Sequence, residues 1–186
     1  MNRKAIVATV ACLIMSPLPA LVSAETYPHT RDGWLIGFGV GGGSAGISEA
    51  SDRQGGVTGS FRAGYAFQPQ LSLELNSGFW TKSEGGATTT FDVSGAALDF
   101  YPGEGGLVLR GGLGFGSADV SLDVGNQTLS ASETGFGFLV GAGYEFRVLR
   151  SFAIGPEVEY GWTTLSSFDT NFVNANLGLT WYFIPK

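Results

Sequence analysis

The sequence predicts an all-β protein, an eight-stranded antiparallel up-and-down β-barrel that crosses a membrane. Its composition is the first indication: 30 of 186 residues are glycine, 13% are aromatic and only 14% are charged. After the first 24 residues, no apolar stretch approaches the roughly 20 residues that a membrane-spanning helix needs. An apolar chain that is rich in glycine and aromatic residues but has no such stretch favours strands.

Residues 1–24 have the pattern of a cleaved signal peptide. Arg3 and Lys4 precede an apolar run, and Val22-Ser23-Ala24 places small residues at positions −3 and −1 of the expected cleavage site. The apolar core of about 11 residues is too short to span a bilayer. We therefore expect export, a periplasmic N-terminal segment over 25–32, and a barrel over 33–186.

Eight segments alternate large apolar residues with small or polar ones at the two-residue period of a strand. In the sixth, Phe136, Phe138 and Val140 share one face, and glycines occupy most of the other. The predicted strands are 33–43, 57–67, 71–82, 88–101, 107–117, 134–147, 152–163 and 171–183.

Two positions disturb this alternation, and a β-bulge is expected at the first and is one of two explanations for the second. Pro156 has no N–H to donate to a neighbouring strand. In the fourth segment, Phe91 and Val93 have the opposite parity from Leu98. One extra residue in the strand, or a different strand boundary, would account for such a shift of phase.

The large apolar face is expected to contact lipid, because the opposite face is too small to cover a protein in water. Small residues and isolated charges suit the narrow interior of a transmembrane barrel. The aromatic residues should then form a belt at each membrane interface. One predicted belt contains Trp34, Tyr65, Phe67, Phe100, Tyr101, Tyr144, Phe146, Phe152, Trp181 and Phe183; the other contains Phe79, Trp80, Phe91, Phe115, Phe136, Tyr160, Trp162 and Phe172.

Connections between the strands alternate in length, as periplasmic turns and surface loops do in such barrels. Short turns are expected at 68–70, 102–106 and 148–151, and longer polar loops at 44–56, 83–87, 118–133 and 164–170. This places both termini in the periplasm. The loops at 44–56 and 118–133 are candidates for binding a host protein or carbohydrate, or they are solvated spacers.

Eight charged residues have the parity of the barrel interior and form the first candidate site. They are Arg62, Glu74, Asp99, Arg110, Glu145, Arg147, Glu157 and Glu159. Buried charges must be paired, and the interior of an eight-stranded barrel is just wide enough for side chains to fill it. Two interpretations follow: a salt-bridge plug, or a narrow gated pore whose five acids against three arginines would prefer cations.

The last predicted strand resembles the β-signal by which the outer-membrane assembly machinery recognises its clients. The matching residues are Asn176, Gly178, Trp181 and Phe183. With the signal peptide and eight strands, the chain resembles the small OmpA-like and OmpX-like barrels of the bacterial outer membrane. That resemblance implies a monomer in outer-membrane lipid, with a structural or adhesin-like role carried by surface loops.

An enzyme or a cofactor-dependent protein is not expected. The lipid-modifying barrels of similar size use a catalytic histidine at the barrel rim, whereas the only histidine here, His29, precedes the first strand. The segment Gly37–Gly42 matches G-x-G-x-x-G, but no helix pattern follows, so the dinucleotide mechanism is missing. The net charge of −6 gives no electrostatic basis for binding nucleic acid. We also expect no metal site.

Overall fold

The computed structural model describes residues 29, 31–48, 52–124 and 127–183, so the predicted signal peptide lies outside the described residues. Nine strand segments occur within them. These are β1 (Gly33–Ile47), β2 (Gln54–Gln68), β3 (Leu71–Glu84), β4 (Ala87–Phe100), β5 (Leu107–Val124), β6 (Gln127–Tyr144), β7 (Phe146–Leu149), β8 (Phe152–Thr164) and β9 (Asp169–Phe183). β6 and β7 form one barrel strand that is interrupted at Glu145. In these residues, no helix is long and apolar enough to cross a membrane.

Each barrel strand pairs antiparallel with the next in sequence, and β9 pairs with β1 from Trp34↔Phe183 to Ile47↔Thr170. This last pairing closes the sheet into a barrel. The predicted eight-stranded up-and-down barrel is confirmed. We call the end where β1 begins and β9 ends the terminal end, and the opposite one the distal end.

The two faces of the sheet differ as the alternation predicts. Large apolar side chains point outward, and Leu75 and Phe115 are 69% and 73% exposed. Four aromatic residues that we placed in the outer belts point into the barrel instead: Trp80, Phe91, Tyr101 and Phe172. Their strand register decides the face, because a ring packs as well in an apolar interior as at a membrane interface.

The polar links predicted at the distal end are largely strand, which corrects the predicted loops. β5 and β6 pair without interruption as far as Val124↔Gln127, so the described residues 118–124 and 127–133 continue the sheet. The link at 44–56 shortens to 48–53, and those at 83–87 and 164–170 shorten to 85–86 and 165–168. Polar side chains indicate contact with water and do not exclude a regular strand, and threonine is among the residues enriched in strands.

Neither predicted bulge is present in the strand pairing. Pro156 stays in register with Leu177 of β9, and the ladder is interrupted on its other side, at Glu145. A missing N–H removes a hydrogen bond without adding a residue. β4 pairs with both neighbours without a register shift, and Phe91 and Val93 point inward. The inner face of β4 is thus apolar at Phe91 and Val93 and charged at Asp99, and this change along one face looks like a change of phase.

The turn between β3 and β4 gives a test of backbone strain. Gly85 and Gly86 have positive φ values of 60° and 84°. In this conformation the Cβ of any other residue comes too close to a backbone carbonyl oxygen. We expect Gly86→Ala to lower the free energy of unfolding by about 1 kcal/mol, measured by urea titration of the refolded protein. Gly111→Ala is the control, since a methyl group there meets no atom within 4 Å. Equal losses of unfolding free energy in both variants would show that the positive φ at Gly86 does not require a glycine.

Candidate functional site

All eight charged side chains predicted for the lumen lie inside the barrel. None is more than 7% exposed: Arg62, Glu74, Asp99, Arg110, Glu145, Arg147, Glu157 and Glu159. They come from β2 to β8, so the network crosses the lumen from every side. An unpaired charge is costly when it is buried. The ion pairs and hydrogen bonds of each group therefore decide whether the network stabilises the barrel.

Arg110 lies at the centre of this network. Its Nε and Nη2 donate to the two carboxylate oxygens of Asp99, each at 2.7 Å. Its Nη1 donates to Oε1 of Glu159 at 2.8 Å and lies 3.8 Å from Oε2 of Glu157. A bidentate arginine–carboxylate pair is among the stronger charge-assisted contacts in proteins. Arg110 thus connects β5 with β4 and with β8 across the lumen.

Arg62 occupies the next level towards the terminal end. Its Nη2 donates to Oγ1 of Thr180 at 2.6 Å. The guanidinium nitrogens lie 3.6 Å from Asp99, 3.7 Å from Glu157 and 4.0 Å from Glu145. Because Arg62 and Arg110 share two of these carboxylates, the charges form one network rather than isolated pairs.

The terminal end of the lumen is closed by a second group of contacts. The Nε of Arg31 lies 3.5 Å from Oε2 of Glu145, and its guanidinium carbon lies 3.7 Å above the ring of Tyr101. The hydroxyl of Tyr182 donates to the same Oε2 of Glu145 at 2.7 Å. Arg147 stacks on the ring of Tyr182 at 3.9 Å. Cations and rings therefore cover this end of the barrel.

Sequence reasoning missed Arg31, which is only 1% exposed. It precedes the first alternating segment, so the strand pattern contains no signal for it. The one available signal was the charge balance, because five buried carboxylates against three arginines require a further cation. With Arg31 included, the excess of carboxylates over arginines falls from two to one. That excess was the basis for expecting a pore that prefers cations.

Small residues make room for the charged side chains. A methyl group on Gly39 would overlap the carboxylate of Glu157. On Gly64 it would come within 2.6 Å of Cγ of Glu74, whose carboxylate accepts a hydrogen bond from Ser72 at 2.8 Å. The glycines of the apparent dinucleotide motif are used in the same way, since Gly37 lies against the side chain of Arg62.

Towards the distal end, the lumen changes from ionic to apolar. We call its filling the apolar cluster: Ala45, Trp80, Phe91, Val93, Ala118, Leu139, Leu165 and Phe172. The rings of Trp80 and Phe91 stack with centroids 5.6 Å apart. Phe172 lies against Gly161, where a methyl group would overlap its ring. A second obstruction of the lumen therefore lies beyond the charge network.

Two cavities within the lumen have volumes of only about 10 Å³ each. One lies beside Arg62 and Glu157, and the other beside Asn76 and Leu139. Each has room for about one water molecule. Among the described residues, no group of three or more His, Cys, Asp and Glu side chains is arranged to hold a metal ion.

The four β-signal residues lie in β9. Asn176 faces the lumen, where its Oδ1 accepts a hydrogen bond from Thr58 at 2.6 Å, and Gly178 lies against Glu157. Trp181 and Phe183 point outward and are 38% and 62% exposed. Recognition of these residues by the assembly machinery stays a prediction.

Solved structures of other proteins share this fold. Neisserial surface protein A is 15% identical with a TM-score of 0.61, over 83% of this chain and 99% of that one. Ail, the attachment invasion locus protein of Yersinia pestis, is 18% identical with a TM-score of 0.57, over 82% and 100%. A second structure of Ail, in complex with the heparin analogue sucrose octasulfate, is 16% identical with a TM-score of 0.60, over 82% and 100%.

At such identities the likeness concerns the fold alone, and no curated protein matches the chain in sequence. The model of one protein family does match, over residues 8–183, which include all nine described strand segments. That family is described as the outer membrane protein beta-barrel domain. The small eight-stranded barrels that the sequence resembles have this same architecture. This protein therefore belongs to the outer-membrane β-barrel family.

Proposed function

We propose that this protein is a surface-interaction protein of the bacterial outer membrane, with a sealed lumen and a binding surface on its distal strands. The supporting observation is the length of β5 and β6, which have 18 residues each. β6 pairs with β8 only from Phe136↔Thr164 onward. Its first nine residues therefore continue past β8 for about 30 Å of strand.

The outward surface of this extension is polar. On this extension the outward side chains of β5 and β6 are polar, among them Asp119, Ser130 and Ser132. Ser117 donates to Asp119 at 2.6 Å on the same face. Hydroxyl and carboxylate groups are poorly solvated by lipid. We infer that the extension stands in water on the outer side of the membrane, with both chain termini on the periplasmic side.

One edge of the extension is available to a partner. On the side of β6 away from β5, no described strand pairs with residues 129–135. An unpaired edge offers backbone donors and acceptors to an incoming strand. Carboxylates outnumber basic groups among the described side chains of the distal half: Asp52, Glu84, Asp92, Asp119, Glu133 and Asp169 against Arg53 and Lys82. A protein with a strand edge and basic groups fits this surface better than an anionic polysaccharide.

The contents of the lumen support the sealed barrel over the pore. A conducting path would have to pass Arg110 with its three carboxylates, and then the rings of Trp80 and Phe91. The cavities in the lumen each hold about one water molecule. These two obstructions favour a sealed lumen over a narrow pore.

We test this function with a variant in which Asn-Gly replaces residues 119–132. A non-adherent bacterial strain displaying the intact protein should bind cultured epithelial cells several-fold more than the empty strain does. The shortened variant should lose this gain, because it lacks the edge of β6. A heat-dependent change of gel mobility should confirm that both proteins fold. Adherence by the shortened variant equal to that of the intact protein would refute the proposal.

Two further measurements bear on the same proposal. Heparin-agarose should not retain the protein at physiological salt, because like charges repel. Planar bilayers that contain the refolded barrel should show no sustained unitary conductance. A steady conductance that Glu157→Ala abolishes would instead favour the narrow pore.

A further inference from the structure

The extension of β5 and β6 reverses the chemistry of the two faces of the sheet. In the part of β5 that contacts lipid, the large apolar side chains point outward, as Phe115 does. On the extension the apolar side chains point inward, over the mouth of the barrel, because their parity is that of the buried Ala118 and Leu139. We call them the inner apolar face: Val120, Leu122, Leu129 and Ala131.

The inner apolar face is uncovered. Val120, Leu122 and Leu129 are 43%, 40% and 60% exposed. They lie in cross-strand rows, since Leu122 pairs with Leu129 on one side and with Ala87 of β4 on the other. The rows continue down to a cavity of about 590 Å³ above Trp80, which Ala87 also lines. Apolar side chains that are exposed together outside the lipid mark an interaction surface.

The backbone edge beside this face has a limited length. On the side of β6 away from β5, pairing with β8 begins only at Phe136. Just before it, Oε1 of Glu133 accepts a hydrogen bond from the backbone N–H of Ser167 at 3.0 Å, so the link 165–168 lies there. No described strand pairs with residues 129–132 on this side. An extended segment of about four to six residues therefore fits this edge.

A strand added to this edge continues both faces of the sheet, so its alternate side chains meet different surroundings. Side chains opposite Leu129 and Ala131 turn inward, where apolar contact with the inner apolar face stabilises them. The next inward position lies beside the carboxylate of Glu133, which favours lysine or arginine. Side chains opposite Ser130 and Ser132 turn outward into water. The edge therefore selects residues by their position along the segment.

We propose that the edge of β6 binds an extended segment of a partner protein in which two apolar residues and one basic residue occupy alternate positions. The segment adds a strand to β6, and its apolar side chains cover the inner apolar face. This inference rests on the proposed surface-interaction function and names what the surface recognises. A second copy of this chain fits less well, because its distal half is acidic too and like charges repel.

The probe is a fluorescein-labelled peptide with blocked ends, Lys-Thr-Val-Thr-Val-Thr-Lys, which presents the same pattern in either direction. It is titrated onto the full barrel in nanodiscs of zwitterionic lipid. Fluorescence anisotropy at physiological salt should show saturable binding, and nanodiscs without protein should show none. A peptide of the same composition, Lys-Val-Val-Thr-Thr-Thr-Lys, turns its two valines to opposite faces and should bind about tenfold more weakly.

Methylation of the peptide backbone tests whether the peptide pairs as a strand. In an added strand, the N–H groups point alternately to β6 and to water. One peptide is methylated at the nitrogens of both valines, and another at the nitrogens of the threonines. One of the two should lose binding, and the other should bind nearly as the unmodified peptide does. Equal effects of the two modifications overturn the proposal.

A matched pair of variants locates the contact on β6. Leu129→Asn should weaken binding about tenfold by removing part of the inner apolar face, whereas Ser132→Asn, on the outward face, should retain it. Unchanged affinity in Leu129→Asn overturns the proposal. So does a dimer of the unaltered barrel that Leu129→Asn dissociates, because it assigns the edge to a second copy. If Leu129→Asn does not fold, the methylated peptides decide on the unaltered protein.

The outcomes separate this inference from the function on which it rests. If bacteria adhere through residues 119–132 and the peptide does not bind, the surface-interaction function stands and this inference fails. If the peptide binds with the expected pattern and the bacteria do not adhere, the edge recognises such a segment and the adhesive role fails.

Discussion

Replacing Arg110 with alanine is expected to destabilise the barrel by about 3–5 kcal/mol, the usual cost of removing one partner from a buried ion pair. The change deletes both hydrogen bonds to Asp99 and the one to Glu159. It leaves these two carboxylates and Glu157 around an empty volume. Without the arginine their negative charges repel one another. Arg110→Lys should lose less, since it keeps the charge but not the bidentate geometry.

The measurement is the free energy of unfolding in urea, with the protein refolded in detergent micelles. Arg53→Ala is the matched control, because Arg53 is exposed at the distal end and bonds to Ser44 and Asn171 there. Exposed polar contacts of this kind contribute about 1 kcal/mol or less. Were the Arg110 and Arg53 variants to unfold at the same urea concentration, the charge network would not hold the barrel together.

Phe172→Ala is expected to cost about 3–5 kcal/mol for a different reason, the cavity that remains in a packed interior. Phe172 is 1% exposed within the apolar cluster and lies against Gly161. The surrounding strands are fixed by the closed sheet, so they cannot collapse into the space. The loss should be visible as a lower urea midpoint without a change of slope.

Phe115→Ala is the control for this change, because Phe115 is 73% exposed on the lipid-facing surface. Detergent or lipid fills the space of the missing ring there, so a smaller loss is expected. If Phe115→Ala proved as destabilising as Phe172→Ala, the inward position of Phe172 would be wrong. Both variants remove the same ring, one from the outer face of β5 and the other from the inner face of β9.

Much of the fold follows from local pattern. A side chain changes face at every residue of a strand, so the positions of Arg62, Arg110 and Glu157 in the lumen follow from counting along β2, β5 and β8. The same rule places Phe91 inside, although its aromatic ring by itself favours the lipid-facing belt. Parity predicts the face correctly, because the register with the neighbouring strands fixes the face of every residue.

The partners of these residues depend on distances across the barrel, which no sequence spacing specifies. Arg31 fills the terminal end although it precedes the first strand, and Arg110 selects carboxylates on β4 and β8. The distal strands depend on pairing in the same way, because 118–124 and 127–133 are polar enough for a loop and become strands once they align with each other. Alternation along the chain was enough for the barrel and its two faces, since it is a local property. The closure of the lumen, the pocket above Trp80 and the unpaired edge of β6 arise only when distant strands meet.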